Sequence, residues 1–585
     1  MPYNKNMSLF MILIAVLLVI TIGCAKPAPA PAPTTPAPAA TTPKPAPAPT
    51  SAAATTTAPA PKQAPAPTTT PAPAPVATPL QIPKFVPQVS SAPAPGPGTP
   101  KYGGVLKVGV PSDAVAIGQP QLGKLNWDSI LAAPALEKLI NNDSEGNIVP
   151  WLAESWKEDY KTLTLTINLR KGAGIKFHDG TNFNAAAVKW NLDMLMANKV
   201  SSVANVKSVD IIDDYTIRVN CSSWIPDIAS NVMGAFMVSP TAWQANNTDW
   251  GKQNPVGTGP FKLASRQRDA NMKYARFDDY WMKGKPYLAG LDFIIIADST
   301  TRIASFKAGE IDMSLDPSVA QCQELRTNTK YQVHNLPGGL HSYALGPSAN
   351  DPKSPFSNLK VRQALGYAID RQALVESVLG GYGSIATQQC PPGTWPYNPN
   401  LKGYAYDTAK AKQLLAEAGY PNGFETSITA SSTESSEVLV CTALQGMMSK
   451  VGIKLNLNLL GAAALESSRR GGWDGLCLAT MAPSPSSITF TFVSTTGSVR
   501  YFWVSFLKSP QLDTAVKEAL ASPDMKTYQT GTWKLMDMIY YQLVQLVPIY
   551  YGDALLIKYP YVKDDGFYRT GSQKNIGAEN VWLNR

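Results

Sequence analysis

The stretch WLAESWKEDYKTLTLTINLRKGAGIKFHDGTNF, residues 151–183, decides the fold. Apolar and polar residues alternate over 163–169, and this period of two is typical of a strand with one buried face. Two glycines then end the strand, and Asp179-Gly180 predicts a second turn. Asn184 or Thr181 can cap a helix that follows. A strand, turns and a capped helix in close succession indicate a small α+β unit.

The same stretch resembles the signature region of the large solute-binding proteins of ABC importers, the family that holds oligopeptide, dipeptide and nickel binders. Its segments LAESW, LRKG and KFHDGTNF are similar to the corresponding segments of that family. Other blocks resemble the family in the same order along the chain, so that the similarity runs from about 103 to about 564. These blocks are 136–151, 254–261, 278–288, 301–312, 355–373 and 405–424.

The resemblance implies a mixed α/β (α+β) fold of the periplasmic-binding-protein type II class. Two lobes are joined by hinge strands, and the first lobe carries an extra small α+β subdomain. We expect the lobe I core to comprise residues 101–145, 239–305 and 545–585, the subdomain to comprise 146–238, and lobe II to comprise 306–544. In this family the two lobes close on a ligand like a hinge.

The amino-terminal segment, residues 1–23, predicts a secretory signal. Lys5 precedes an apolar run over 9–22, which is shorter than the about 20 residues that span a bilayer and fits the central region of a signal peptide. Gly23-Cys24 resembles the lipobox of bacterial lipoproteins, although Thr21 stands where Leu is usual. This implies cleavage before Cys24 and acylation of its sulfur. An ordinary signal peptide with an incidental cysteine is the alternative.

Residues 24–100 predict a disordered tether. The chain of 585 residues contains 50 prolines, and this segment consists mostly of Pro, Ala and Thr, a composition that cannot build a core. Its APAPAP runs favour polyproline II at about 3.1 Å per residue, so the extended segment would reach on the order of 200 Å. The alternative is a low-complexity spacer under no functional constraint.

Charge and cysteine content exclude several classes of protein. The net charge is +9, but Lys and Arg are scattered among acids, which favours a solvated basic surface over nucleic-acid binding. The cysteines show no close pair, which argues against metal fingers and redox motifs. Beyond Cys24 we expect buried thiols, with a single disulfide left open. The cysteines are Cys24, Cys221, Cys322, Cys390, Cys441 and Cys477.

Catalytic and cofactor motifs are absent from the sequence. The three histidines are scattered, and the patterns H-E-x-x-H, G-x-S-x-G and Walker A do not occur. We therefore expect no catalytic residues, no cofactor and no metal. A secreted hydrolase remains a remote alternative, because Asp113, Glu310 and Asp474 could still converge in space.

Two of the similar blocks invite a local interpretation. Residues 254–261, NPVGTGPF, could suggest a phosphate-binding loop, but Pro260 removes one N–H and Phe261 begins a strand rather than a helix. We expect its glycines to permit a tight turn near the lobe interface. In the block at 355–373, Asn358 is predicted to cap a helix, and Arg362 and Asp370 to form structural ion pairs.

Six residues are candidates for ligand contact. Trp395 follows PPGT, in a loop where the family often places an aromatic side chain against ligand, and such a ring offers a large stacking face. Packing of Trp395 beneath its own loop is the alternative, and packing in the core is the alternative for Tyr343. The remaining candidates lie where the strand that begins near Trp473 ends: Thr480, Met481, Ala482 and Pro483.

The loop after that strand bears on the ligand's chemistry. In the peptide binders of the family it supplies an Asp that pairs with the free ammonium of the peptide. Here it reads ATMAPSP over 479–485 and contains no carboxylate. A desolvated ammonium without a counter-charge is costly. We therefore predict that the ligand is not a peptide held by its amino terminus, unless another acid substitutes. Thr480 and Met481 suit a more neutral solute, such as an oligosaccharide or a modified peptide.

The resemblance implies a binding protein rather than an enzyme. We expect an extracytoplasmic, lipid-anchored and monomeric solute-binding subunit of an ABC importer. It would capture a small molecule or peptide and deliver it to the transmembrane subunits of the permease. A ligand-binding sensor or adhesin module of the same fold is the alternative.

Overall fold

The structure is a computed structural model that describes residues 98–123, 126–142, 148–432, 434–481, 504–564 and 577–585. The first described helices and strands are four strands and one short helix. These elements are β1 (Val105–Val110), α1 (Asn126–Ala132), β2 (Glu137–Lys138), β3 (Ile140–Asn142) and β4 (Ile148–Pro150).

The elements up to residue 347 alternate between short helices and antiparallel or parallel strands. They are β5 (Ala153–Asp159), β6 (Thr164–Leu169), α2 (Ala185–Ala197), β7 (Val206–Asp213), β8 (Thr216–Cys221), α3 (Ile228–Met233), β9 (Phe236–Met237), α4 (Pro240–Ala245), α5 (Thr248–Gln253), β10 (Phe261–Gln267), β11 (Asn271–Arg276), β12 (Gly290–Ile295), α6 (Ser299–Ala308), β13 (Met313–Leu315), α7 (Val319–Leu325) and β14 (Gln332–Pro347).

The remaining elements contain most of the longer helices. They are α8 (Leu359–Ala368), α9 (Arg371–Ser377), β15 (Gly383–Ile385), α10 (Thr408–Glu417), β16 (Phe424–Ser431), α11 (Ser435–Ser449), β17 (Ile453–Leu460), α12 (Ala462–Gly471), β18 (Leu476–Met481), α13 (Pro510–Leu520), α14 (Met525–Asp537), β19 (Val547–Lys558), β20 (Val562–Lys563) and β21 (Trp582–Leu583). Among the described helices, none has the length and apolar character needed to cross a bilayer.

One large mixed sheet runs through the fold in the order β10-β11-β12-β1-β13-β19-β14-β18-β16-β17, and β15 also pairs with β19. On one side, β1 is parallel to β12 and β13. On the other side, β16 is parallel to β17 and β18. Each side has its own hydrophobic core, so the predicted mixed α/β fold with two lobes is confirmed. The domain boundaries drawn from the sequence stay a prediction.

Residues 151–183 form part of a separate four-stranded antiparallel sheet of order β5-β6-β8-β7. Leu165, Ile167 and Leu169 are buried on β6 and alternate with less buried polar residues, as predicted. Leu163 lies just before the strand, because its φ of 55° does not fit an extended chain. Asn184 caps α2 by accepting a hydrogen bond from the Ala187 N–H, which decides between the two predicted caps.

Two long antiparallel strands, β14 and β19, join the two sides of the large sheet. Residues 341–346, which include the candidate Tyr343, lie inside β14, which begins at Gln332. The pairing is interrupted, because Leu336 lies opposite Ala554 whereas His341 lies opposite Gly552. Residues 337–340, Pro-Gly-Gly-Leu, therefore face the single residue Asp553. This bulge hides the strand from a sequence pattern, since proline and glycine are poor strand formers.

Two polar residues expected to form ion pairs have other partners. The guanidinium of Arg362 donates to the backbone carbonyls of Phe356, Ser357 and Leu543. Asp370 caps α9 by accepting a hydrogen bond from the backbone N–H three residues on. Both are structural, as predicted, but the ion-pair assignment was wrong. Backbone carbonyls can accept the hydrogen bonds of a buried guanidinium in place of an acid, and a sequence does not reveal which of the two is near.

The five cysteines within the described residues are buried free thiols, as expected. Burial raises the pKa of each of these thiols.

Candidate ligand-binding site

Tyr343 lies on β14 near the middle of the large sheet, between β18 and β19. Its backbone faces Thr480 on one side and Tyr550 on the other. The rings of Tyr343 and Tyr550 stack with centroids 4.4 Å apart and planes 17° from parallel. Tyr343 is only 5% exposed, and burial raises its pKa. The structure thus places Tyr343 in the wall of the sheet, where it buttresses a second tyrosine.

Thr480 and Met481 end strand β18, and successive residues of a strand point to opposite faces. Met481 joins the hydrophobic cluster that contains Cys390 and Trp473. Tyr343, which pairs with Thr480, belongs to the other cluster, on the side of α11. The structure therefore brings Thr480 together with Tyr343 but turns Met481 away from them.

Trp395 lies in the long connection between β15 and α10. Its ring packs against Tyr528 with centroids 5.3 Å apart, and Gln529 donates a hydrogen bond to its backbone carbonyl. The loop is fastened to β19, because the Tyr551 hydroxyl donates to the carbonyls of Gln388 and Cys390. Trp395 remains partly exposed in this loop, next to the cluster that holds Met481. The candidates thus form two groups, one on each face of the sheet.

Three further predictions fall outside the described residues. They concern the lipidation site Cys24 and the loop residues Ala482 and Pro483.

Two residues that the sequence analysis did not single out belong beside Tyr343. Tyr550 supplies the stacked ring, and Glu437 lies buried in the first turn of α11. A carboxylate oxygen of Glu437 accepts a hydrogen bond from the Ser431 N–H at 2.9 Å, at the carboxyl end of β16. An acid placed just after a strand, at the start of a helix, is the signal that could have identified it.

Lobe I contains a buried carboxylate, Glu137, that accepts four hydrogen bonds. The donors are Trp151 Nε1 at 2.8 Å, Thr258 Oγ1 at 2.7 Å, Tyr280 Oη at 2.8 Å and Trp281 Nε1 at 3.0 Å. Burial raises the pKa of Glu137 to about 7, and the four hydrogen bonds oppose this rise. The donors come from separate blocks of the family resemblance, so these blocks meet at one buried acid.

The glycines of the block at 254–261 serve close packing. A Cβ added at Gly257 would come within 2.3 Å of the Ala135 carbonyl oxygen, and one added at Gly259 would come within 2.7 Å of the Ala135 carbonyl carbon. Neither glycine has a positive φ. The segment is therefore a structural contact, as the sequence indicated, but the glycines permit close approach of two backbones rather than an unusual turn.

The three acids considered for a hydrolase lie on different elements. Asp113 follows β1 and is held by Arg266, whose Nη2 lies 2.8 Å from it. Glu310 is exposed just after α6, and Asp474 is exposed just before β18. The first acid is occupied by a buried ion pair, and the other two lie at opposite sides of the large sheet.

The chain is similar to known proteins over most of its folded part. A sequence model of the bacterial extracellular solute-binding proteins, family 5 (middle part), matches residues 147–501. The glutathione-binding protein GsiB of Pectobacterium atrosepticum is 31% identical over 415 residues, which are 67% of this chain and 78% of that protein. GsiB of Escherichia coli K12 is 32% identical over 433 residues, 70% of this chain and 82% of that protein.

Solved structures show the same fold. The periplasmic binding protein DppA of Helicobacter pylori, in complex with the peptide STSA, has a TM-score of 0.68 and 25% identity, and the match covers 83% of this chain and 99% of that chain. NikA of Brucella suis, in complex with Fe(III)-EDTA, has a TM-score of 0.73 and 23% identity over 82% of this chain and 100% of that chain.

Proposed function

The chain belongs to the family 5 bacterial extracellular solute-binding proteins, the solute-capturing subunits of ABC importers, and from this we propose that it binds a small peptide-like solute between its two lobes. The solute is released unchanged to the permease, and the protein acts as a monomer without covalent chemistry. GsiB is named for glutathione, and the Helicobacter pylori protein holds a tetrapeptide. These ligands support a peptide-like solute over an oligosaccharide.

The main structural support for the proposal is that the two halves of β19 pack in different hydrophobic cores. Val547 and Ile549, in its first half, pack in the core of lobe II. Leu556, in its second half, packs in the core of lobe I. A strand pair shared in this way can bend without disrupting either core. A solute that touches both lobes in the closed form and one lobe in the open form then favours closure.

The residues that we propose for ligand contact fall into two groups. Tyr343 and Thr480 lie on the α11 side of β14 and β18, whereas Trp395 and Met481 lie on the other side. Ala482 and Pro483 follow Met481 directly in the sequence and complete the proposed set.

Calorimetric titration of the purified full chain tests the proposal. We expect saturable one-to-one binding of reduced glutathione or of at least one di- to pentapeptide, and mass spectrometry should recover the solute unchanged. Trp395→Ala should weaken that binding, while Trp156→Ala, in the small subdomain, should not. Recovery of a chemically altered solute, or failure of every peptide together with every solute retained through purification, would contradict the proposal.

We further propose that Cys24 carries the lipid anchor and that residues 25–100 tether the lobes to the membrane. The intact mass of detergent-extracted protein should exceed the mass of residues 24–585 by the mass of a lipid. Cys24→Ala should move the protein from the membrane fraction to the soluble extracytoplasmic fraction. An unmodified wild-type protein in the soluble fraction would exclude the anchor.

A further inference from the structure

The chain contains no carboxylate where the peptide binders of its family hold the ligand's ammonium, in the loop at 479–485. Three other buried acids of the described residues have strong partners. Asp113 pairs with Arg266, Asp312 pairs with Arg585, and Glu137 accepts four hydrogen bonds. These three acids are therefore poorly suited to receive a cationic group from a ligand. Glu437 differs in both its place and its partners.

Glu437 lies at a gap between two parallel strands. β16 and β18 pair only at Ile428–Leu476 and Thr429–Cys477, although both strands continue beyond these residues. Beyond Thr429 and Cys477, side chains rather than a neighbouring strand supply the hydrogen-bond partners of the backbone. Glu437 accepts from the Ser431 N–H, and Arg469 Nη2 donates to the Leu478 carbonyl at 3.2 Å. In open α/β sheets, ligands bind where the carboxyl ends of parallel strands leave such a crevice.

The carboxylate of Glu437 is incompletely compensated. Burial raises its pKa, and this effect exceeds the opposing effects of the Ser431 hydrogen bond and of the Arg469 charge. Glu434, one turn earlier, raises it further. Arg469 acts from across the gap while its guanidinium is engaged with β18. A second cation at this place would stabilise the buried carboxylate, because an uncompensated buried charge is costly.

An aromatic wall borders the same carboxylate. The charge of Glu437 contributes to raising the pKa of both Tyr343 and Tyr550, after the larger effect of burial. The two rings are stacked. Tyr343 also pairs across the ladder with Thr480. The Glu437 carboxylate thus lies near the Tyr343–Tyr550 pair at the carboxyl ends of β16 and β18, and Thr480 is the ladder partner of Tyr343. This is the part of lobe II where ligand contact is proposed.

We propose that Glu437 receives the primary ammonium group of the ligand, taking the place of the loop carboxylate that this chain lacks. This inference rests on the proposed function and deepens it: the solutes are peptides or peptide derivatives with a free amino group. Where the sequence alone predicted a more neutral ligand, the position of Glu437 supplies the substituting acid. Glu437 is then a specificity-determining residue, and the Tyr343–Tyr550 pair forms the wall beside the ammonium.

Paired probes with free and blocked amino groups test this assignment. Reduced glutathione and trialanine, each also in its N-acetyl form, are titrated calorimetrically into the full chain. We expect at least one free-amine probe to bind at least tenfold more tightly than its acetylated form. Glu437→Gln should remove this ratio. Glu434→Gln, which neutralises the exposed acid one turn earlier, should preserve it and is the matched control.

A charge-preserving variant distinguishes loss of a ligand contact from loss of folding. Glu437→Asp withdraws the carboxylate by one methylene, so it should weaken binding of the free-amine probe and leave the acetylated probe unaffected. Melting temperatures of the ligand-free variants report whether each is folded.

The outcomes separate this inference from the proposed function. A ratio that survives in Glu437→Gln, or a wild-type chain that binds only solutes without a primary amine, overturns the assignment of Glu437 and leaves a solute-binding protein. A wild-type chain that binds none of the probes and retains no solute through purification overturns both.

Discussion

At the scale of single residues, the buried carboxylate of Glu137 links three parts of lobe I, because four hydrogen-bond donors from these parts meet there. Its pKa is raised to about 7 from an ordinary value of 4.5. The folded state therefore holds a proton more tightly than the unfolded state does. The stability from this difference is present below about pH 4.5 and is lost as the pH rises through about 7.

Glu137→Gln should make stability less sensitive to pH in that window. Relative to wild type, the variant should be least stable near pH 4.5 and should gain by a few kcal/mol, on the order of 3, toward pH 8. Urea titrations at several pH values measure the difference. Glu154→Gln removes an exposed acid from β5 and controls for the loss of one charge. A difference that is constant across pH would show that the Glu137 carboxyl does not titrate there.

His178 should act in the opposite direction. Burial lowers its pKa from 6.5 to about 4, and the positive charge of Lys262 adds to this, although Nε2 lies 2.9 Å from the Gly259 carbonyl oxygen. The unfolded chain then binds the proton more tightly, so stability is present above about pH 6.5 and is lost as the pH falls toward 4. His178→Gln should abolish roughly 1–3 kcal/mol of this acid-induced loss, measured by urea titration. An unchanged acid slope in the variant would contradict the expectation.

Residue roles were predictable where a short pattern fixes a local bond. Asn184 and Asn358 cap their helices as the sequence indicated. Roles that depend on distant parts of the chain were not predictable, since the donors to Glu137 lie up to 144 residues away in the sequence. Glu437 has a local signal, since it follows a strand at the start of a helix, but the gap between β16 and β18 that makes this acid relevant is a tertiary feature.

At the scale of elements, strand β14 is the case in which pattern and structure differ most. The sequence analysis singled out Tyr343 in its second half but no residue of its first half, where Pro337-Gly338-Gly339 interrupts any alternating pattern. The partner strand β19 continues past this interruption and holds both halves in one ladder. Tertiary pairing thus overrides a poor local preference for strand structure.

The bulge in β14 predicts two different outcomes for two deletions. Deleting Gly338 and Gly339 together removes an even number of residues, so each following side chain keeps its face of the sheet. This variant should fold, and it should bind the free-amine probes less tightly because the strand pair is straighter. Deleting Gly338 alone reverses every side chain between the bulge and the next turn. It should lower the melting temperature severely or prevent folding. Equal melting temperatures for the two deletions would contradict this account of the register.

At the scale of the whole molecule, the sequence predicted the class of fold and the order of its parts, because several similar blocks occur in the family's order. It could not predict how the ligand candidates divide. Thr480 and Met481 are neighbours in the chain yet belong to opposite faces, and Trp395 lies with Met481 rather than with Tyr343. Residues that are neighbours in the sequence were expected to line one loop, whereas the structure places them on two faces of the sheet.

Closure of the two lobes links ligand binding to both stability and shape. A solute at about 100 times its dissociation constant should raise the free energy of unfolding by about 2.7 kcal/mol, if it binds the folded chain alone. It should also reduce the radius of gyration, because the closed form brings the lobes together around β14 and β19. Thermal unfolding and small-angle scattering of the full chain, with and without reduced glutathione or trialanine, measure both effects on one sample.

For whichever probe calorimetry shows to bind, the double-glycine deletion is the informative control. It should keep part of the stabilisation, since one lobe still contacts the solute, but lose the compaction. Stabilisation by a bound probe without any compaction of the wild-type chain would show that the solute occupies one lobe only, and the hinge account of capture would fail.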